Sequence, residues 1–178
     1  MFNTTAPDYP ASVIGQFHRI STVRLDAFSG MQITNGPYGA ISEPGPSDGT
    51  THASADKEIP ESEFTSAIAW VLKHQTEIRK DFFSPFVDEY EEMRDILICD
   101  LGDEKAAKLV PKISSPEDLS PLCGLVALHI RGLNDTGEAR FGIELGCNWE
   151  DEHGAGVRFN GLQIEEAGHA DVSFLFRG

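Results

Sequence analysis

The chain has 178 residues, which is about the length of one domain and enough to bury a core without disulfides or a structural metal. Hydrophobic residues make up 40% of it and charged residues 24%, as in soluble globular proteins. The formal charge of -15 repels the phosphates of nucleic acids and anionic membrane surfaces. We therefore predict a single globular domain, residues 1–178, that binds neither nucleic acid nor a membrane.

The start of the chain, "MFNTTAPDYPAS", lacks the basic and apolar segments of a signal peptide. No apolar run approaches the roughly 18 residues that a membrane-spanning helix needs. These two features predict a cytoplasmic protein. The prolines and small polar residues favour an extended arm over residues 1–12. Three cysteines without a CxxC pair, Cys99, Cys123 and Cys147, are predicted to be reduced and mostly buried.

The stretch between Val13 and Ile33 predicts two strands, "SVIGQFHRI" and "STVRLDAF", in which apolar and polar residues alternate over part of the length. We expect these strands to form a hairpin. Residues 34–60 are rich in Gly, Pro, Ser and Asp, which set the dihedral angles of turns. We predict a long loop region here, either interrupted by a short strand at Tyr38–Ile41 or mobile in part.

The strongest helical pattern follows Ser62, which is predicted to cap the helix. Residues then recur at helical spacing along one face: Phe64, Ala67, Ile68, Val71, Leu72, Gln75 and Ile78. Ser84 and Pro85 predict the start of a second helix, whose inner face is Phe86, Tyr90, Met93 and Leu97. Its outer face is acidic and is either a solvated surface or a docking surface: Glu89, Glu91, Glu92 and Asp95.

A very short third helix is predicted in "SSPEDL", with Ser115 as the N-cap and Asp118 completing a capping box. Everything after it is predicted to be strand, in segments 123–132, 137–147, 156–160, 162–168 and 171–176. Turns are predicted at 134–137 and at Asn160–Gly161. This order favours an α+β domain: an antiparallel β meander in the C-terminal half packs against the two central helices, with the N-terminal hairpin beside them.

The segment "CNWEDEHGAG" connects two of these strands and has two interpretations. Gly154 and Gly156 permit the backbone of a tight corner, and Trp149 can close the end of the core, so the segment needs no function. Three consecutive acidic residues, Glu150 to Glu152, nevertheless repel one another unless water, a cation or a basic partner neutralises them. The candidate binding surface is therefore Trp149, Glu150, Asp151, Glu152, His153 and Gly154.

A divalent metal is the alternative ligand of this segment. Asp151, Glu152 and His153 supply oxygen and nitrogen donors, with His169 and Asp171 as further candidates. The spacing matches neither an EF-hand nor the HExxH zinc helix. The residue types of a Cys/His/acid catalytic set are present, but we expect Cys147 to be an inert buried thiol and His129 to be a structural residue. No phosphate-binding loop or GxSxG elbow is present, and no catalytic residue is assigned.

The segments "PEDLSPLCGLVALHIRG" and "FGIELGCNWEDEHGAGVRFNGLQIEEAGHADVSF" resemble a family of uncharacterised bacterial proteins with a C-terminal W-[DE]-x-E-H-G-x-G motif. The resemblance covers residues 60–176 and depends on Trp149, Glu152, His153, Gly154, Gly156, Gly168 and Asp171. Glu150 stands where that family usually has aspartate. The resemblance implies a soluble bacterial protein without an established activity.

Some such families are immunity proteins that act beside toxins, and the acidic charge of this chain would attract a basic partner. The sequence therefore favours a non-enzymatic protein-binding module, of immunity type, with a basic protein partner. The alternative is a metal-binding protein or a metal-assisted hydrolase that uses the acidic and histidine residues of the loop at 150–153.

Overall fold

The computed structural model describes residues 19–34 and 41–175, with the side chains of residue 34 and of residues 41–45 excepted. The predicted arm, residues 1–12, and the start of the first predicted strand lie outside this part of the chain. Within it, helices and strands are both substantial, so the α+β class is confirmed. None of the described helices combines the length and apolar character that crossing a membrane requires.

Eight strands of the described residues belong to one sheet: β1 (Arg19–Arg24), β2 (Gln32–Thr34), β3 (Ile41–Pro46), β4 (Thr50–Ala55), β5 (Cys123–Leu133), β6 (Ala139–Cys147), β7 (Ala155–Asn160) and β8 (Gln163–Gly168). The main path of the sheet runs β1-β4-β5-β6-β7-β8, and β2 joins β3 to β5 beside it. Pairing is antiparallel except where β2 and β4 meet β5. The α-helices are α1 (Glu61–Lys80), α2 (Val87–Leu101) and α3 (Asp103–Leu109).

The predicted meander is confirmed as β5 to β8, each strand antiparallel to the next. Phe141, Ile143 and Leu145 alternate along β6 and are fully buried. The ring of Trp70 on α1 lies 6.4 Å from the Phe141 ring, so this face of the sheet is the one that α1 covers. The hydrophobic core therefore lies between α1 and the meander.

The hairpin predicted between Val13 and Ile33 is wrong in its pairing. One strand, β1, runs across the predicted break at Ile20 and Ser21, and it pairs with β4 rather than with its neighbour in sequence. A 3-10 turn at Asp26–Phe28 follows, and β2 then pairs with β3. Alternation of apolar and polar residues along a strand indicates which face is buried, but it does not specify the partner strand. The pairing of β1 with β4 could therefore not be predicted from the local pattern.

The loop predicted at residues 34–60 contains two strands, β3 and β4. In β4, "TTHASA", the inward residues are small: Thr51, Ala53 and Ala55 are buried. Local sequence patterns assign such small residues to turns or to no regular element. They form a strand here because β4 lies between β1 and β5, where its backbone groups are paired on both sides.

The last predicted strand, residues 171–176, is also wrong, because Ala170–Ser173 form a 3-10 helix instead. This short helix lies on the second face of the sheet, against Gly142 and Gly156. A β-carbon at Gly142 would overlap the Ser173 carbonyl group. Because glycine has no side chain, Gly142 and Gly156 leave a groove on this face of the sheet, and the 3-10 helix lies in it.

The turn predicted after β7, at Asn160–Gly161, is displaced by one residue. Asn160 pairs with Gln163, so the two turn residues are 161–162.

Helix α1 has the one-sided burial that its spacing predicts: Phe64, Ala67, Val71 and Ile78 are buried. Its N-cap is Pro60 rather than Ser62, and no side chain caps it. Ser115 and Asp118 form the predicted capping box of the 3-10 helix Pro116–Leu122.

The second helix begins as predicted, with a 3-10 turn at Ser84–Phe86 that leads into α2. Phe86 and Tyr90 are buried, and Met93 and Leu97 pack against the core. The Tyr90 hydroxyl donates to the Pro111 carbonyl at 2.6 Å, and burial raises the pKa of Tyr90 to about 12. The sequence did not predict α3, which follows α2 after Gly102.

Candidate functional site

The segment between β6 and β7 is a tight turn whose second residue, Trp149, belongs to the core. Trp149 is buried, with its ring edge-on to Tyr90 at 5.2 Å and 6.4 Å from the Phe86 ring. Gly154 is buried too, and its φ of 63° is the left-handed conformation that glycine favours. These two members of the predicted binding surface therefore face inward. Asp151, Glu152 and His153 are exposed.

Glu150 holds the corner together. Its Oε1 accepts the backbone N–H groups of Glu152 and His153, each at 3.2 Å. Its own carbonyl accepts the N–H of Gly154 at 3.1 Å. The Glu150 carboxylate is thus held in one place by the backbone that follows it, and its side chain is only 16% exposed.

Two histidines from different segments meet beside this carboxylate. The rings of His153 and His169 are stacked, with centroids 4.9 Å apart and planes at 14°. The Glu150 Oε1 lies 3.2 Å from His153 Nδ1. One donor atom from each of Glu150, His153 and His169 lies within 4.8 Å of the other two. We call these three residues the Glu-His-His cluster.

The cluster includes some of the predicted metal ligands and leaves out others. His153 and His169 come together as the hypothesis required, because Ala170 N–H donates to the His153 carbonyl at 3.1 Å and joins their segments. Asp151, Glu152 and Asp171 do not belong to the group. Glu150, which the sequence assigned only to the binding surface, takes their place. Its spacing of three residues from His153 within a turn was the signal that could have identified it.

The loop packs against α2 and the end of α3. Trp149 packs on Tyr90 of α2, and Asn148 Nδ2 donates to the carbonyl of Leu109, the last residue of α3. From Val87 to Leu109 the chain has eight acidic residues and three basic ones. We call the exposed residues of α2, α3 and the loop the acidic face. Its acidic side chains are Asp88, Glu91, Glu92, Asp95, Asp100, Asp103, Glu104, Asp151 and Glu152.

A second polar group is buried on the sheet face opposite α1. Ser54 Oγ lies 2.9 Å from His129 Nδ1, and His129 Nε2 lies 2.7 Å from Glu144 Oε2. All three side chains are buried on adjacent strands, and the Phe174 ring packs on the imidazole at 5.4 Å. Serine hydrolases place the serine at Nε2 and the acid at Nδ1, which is the reverse of this arrangement. The geometry supports the structural role predicted for His129.

The cysteines show the burial that the sequence predicts for most of them. Cys123 and Cys147 face each other across β5 and β6 and are fully buried, while Cys99 is exposed. Burial raises the pKa of Cys147 to about 12 and that of Cys123 well above its usual value. Both groups therefore stay protonated near neutral pH, and a protonated thiol is a poor nucleophile.

We expect native protein to react rapidly with Ellman's reagent at one thiol per chain, because Cys99 is exposed whereas Cys123 and Cys147 are buried. Denatured protein should react at all three thiols, the number in the sequence. The control is Cys99→Ser, which should remove the rapid native reaction. Rapid reaction of two or three thiols in the native wild type would contradict the burial of Cys123 and Cys147.

These features define a class of protein: an α+β domain with α1 on one face of its sheet, a short 3-10 helix on the other, and a Glu-His-His cluster at one sheet end. Residues 39–175 match the family described as Domain of unknown function (DUF6985). The chain belongs to this family. No curated protein and no solved structure matches it.

Proposed function

We propose that the protein is a non-enzymatic protein-binding module whose partner is a basic protein. The proposal rests on one observation: exposed apolar residues lie among the acidic side chains of the acidic face. Six large hydrophobic residues of the described chain are exposed, and three of them, Ile96, Leu101 and Leu109, belong to α2 and α3. Single exposed apolar residues are ordinary on a protein surface, but three of the six lie on two consecutive helices beside many acidic side chains, which favours an interface there.

The two components have separate roles in binding. The acidic side chains attract a basic partner over a distance and increase the association rate, an effect that salt weakens. The apolar side chains lose contact with water only in the complex and so contribute affinity. Ile96 is 52% exposed and lies one turn from Glu92 and next to Asp95, so both components meet on one part of α2.

We further propose that the chain is a bacterial, cytoplasmic protein of the immunity type, with a basic toxin as its partner. The support is the sequence motif around Trp149 and His153 together with the net charge of -15. A toxin that acts on nucleic acid needs a basic surface, which an acidic immunity protein can cover. The alternative function, a metal-binding protein or a metal-assisted hydrolase, depends on the Glu-His-His cluster and not on α2.

Affinity capture from the native host, followed by titration with the purified captured protein, tests the proposal. The test variant combines Glu92→Gln, Asp95→Asn and Ile96→Ser. We expect a stoichiometric basic partner whose Kd rises at least about tenfold with this variant, because both charge and apolar contact are lost. Raising the salt concentration should weaken binding of the wild type more than that of the variant, since fewer charges remain to be screened.

The matched control combines Ile20→Ser, Asp56→Asn and Glu58→Gln. Ile20 is 52% exposed, like Ile96, and the charge change is the same, but these residues lie near β1 and the end of β4. We expect the control to bind within about twofold of the wild type, since surface changes away from an interface have little effect. Recovery of no stoichiometric protein, or equal weakening by both variants, would refute the acidic face as the binding surface.

A further inference from the structure

We propose that Glu150, His153 and His169 form a binding site for a divalent transition metal ion of the zinc class. The site shares the loop with the acidic face, but it uses none of the residues of α2 or α3 and does not depend on the proposed protein binding. It also differs from the alternative metal site of the sequence analysis, because neither Asp151 nor Glu152 takes part. The geometry of the Glu-His-His cluster is the basis of the inference.

The backbone brings the three donors together before any ion binds. Glu150 and His153 belong to one turn, which Gly154 and the Glu150 hydrogen bonds close. His169 arrives from the far end of β8, and the Ala170 N–H bond to the His153 carbonyl fixes its distance. Gly156 permits this approach, because a β-carbon there would lie 2.8 Å from the His169 carbonyl oxygen. Binding of an ion therefore has to order only the side chains, because the backbone already holds the three residues close together.

The hydrogen bonds of the cluster leave donor atoms free to bind an ion. Every hydrogen bond described for the Glu150 carboxylate involves Oε1, so Oε2 keeps its lone pairs. His153 Nδ1 lies 3.2 Å from the same Oε1, which is close to the roughly 3.4 Å that separates two ligands of one tetrahedral zinc ion. The carboxylate and this ring nitrogen are therefore already near the spacing that a shared ion requires.

The donors need only a small movement to bind one ion. Zinc binds nitrogen and oxygen at about 2.0–2.2 Å, so tetrahedral ligands lie roughly 3.4 Å from one another. The present donor atoms lie within 4.8 Å of one another. Rotation about the side-chain torsions of two exposed histidines can close this gap, since exposed rings change rotamer readily.

The types of donor select the class of metal. Two imidazoles and one carboxylate suit zinc, cobalt, nickel and iron, whereas calcium and magnesium prefer sites made only of oxygen. The net charge of -15 raises the local concentration of any cation. Three protein ligands leave a coordination position for water or another ligand, as in catalytic rather than structural zinc sites.

Titration of untagged, metal-free protein with Co²⁺ tests the site, because Co²⁺ bound by histidine and carboxylate shows visible absorption that Zn²⁺ then abolishes on displacing it. We expect one Co²⁺ per chain. His153→Gln and His169→Gln should each weaken binding at least about tenfold, since each removes one of three ligands. Glu150→Gln should weaken it too while keeping an acceptor for the loop N–H groups.

The matched controls are Glu152→Gln and Asp171→Asn, which change neighbouring carboxylates outside the cluster. We expect both to bind Co²⁺ like the wild type, and all variants to keep the circular dichroism spectrum of the folded protein. Absence of Co²⁺ absorption at millimolar metal would overturn the site. Equal affinity of the wild type and both histidine variants would overturn it as well, because the ion would then be bound elsewhere.

Discussion

Replacing His129 by leucine is expected to lower the free energy of unfolding by about 3 kcal/mol, because it leaves buried hydrogen-bonding groups of Glu144 and Ser54 without this partner. Glu144 lies within 2.7 Å of the imidazole, and both side chains are less than a tenth exposed. Without His129, the Glu144 carboxylate and the Ser54 hydroxyl lose the hydrogen bonds described for them to the ring while still buried. Leucine has a similar volume, so the loss comes from unpaired polar groups rather than from a cavity.

Urea unfolding at neutral pH measures this effect. The informative comparison is the double variant His129→Leu/Glu144→Leu, which removes both polar partners and should regain part of the stability. His74→Leu is the control, because the hydrogen bond described for the His74 ring goes to the Trp70 carbonyl of its own helix, and the ring, which stacks on Trp70, is half-buried. We expect that change to cost less than about 1 kcal/mol. A His129→Leu variant as stable as this control would show that the buried group contributes little.

Gly142→Ala is expected to have the second large effect, about 3 kcal/mol, and to release the 3-10 helix Ala170–Ser173 from the sheet. The new β-carbon would overlap the Ser173 carbonyl, and backbone atoms on both sides cannot both move aside. The residues released include the neighbours of His169. The same variant should therefore lose the Co²⁺ absorption expected of the Glu-His-His cluster, although residue 142 is no ligand.

Hydrogen exchange separates the local effect from general destabilisation. Amides of residues 170–175 should exchange faster in Gly142→Ala while those of α1 keep their order of protection. Gly137→Ala is the control: its φ of 82° is strained for alanine, but no atom lies within 4 Å of the added carbon. We expect that variant to lose about 1 kcal/mol and keep the 3-10 helix in place. Unchanged exchange at 170–175 in Gly142→Ala would contradict the packing described here.

Several elements were predictable because one local pattern determines each of them. Phe64, Ala67 and Val71 recur at the helical period and are buried on one face of α1. Ser115 and Asp118 carry the capping box of a short helix within four residues. The strands β5 to β8 are separated by turn residues and pair with their sequence neighbours, which needs no long-range information.

The incorrect predictions of secondary structure have one physical cause. In each case, contacts with a segment distant in sequence determine the backbone conformation. The small residues of β4 are strand because β1 and β5 lie beside them. Residues 170–173 are helical because Gly142 and Gly156 leave a groove on the sheet. The candidate site has the same origin, since His169 reaches His153 only through the return of the chain after β8.

By itself, the sequence determined the α+β class, the amphipathic α1, the meander and the acidic character of the surface, because composition and local periodicity specify these directly. Only the tertiary structure decided that Trp149 belongs to the core, that Asn148 bonds to the end of α3, and that Glu150 rather than Asp151 meets the two histidines. Those outcomes depend on which side chains the folded backbone brings within a few ångströms, and spacing along the chain does not contain that information.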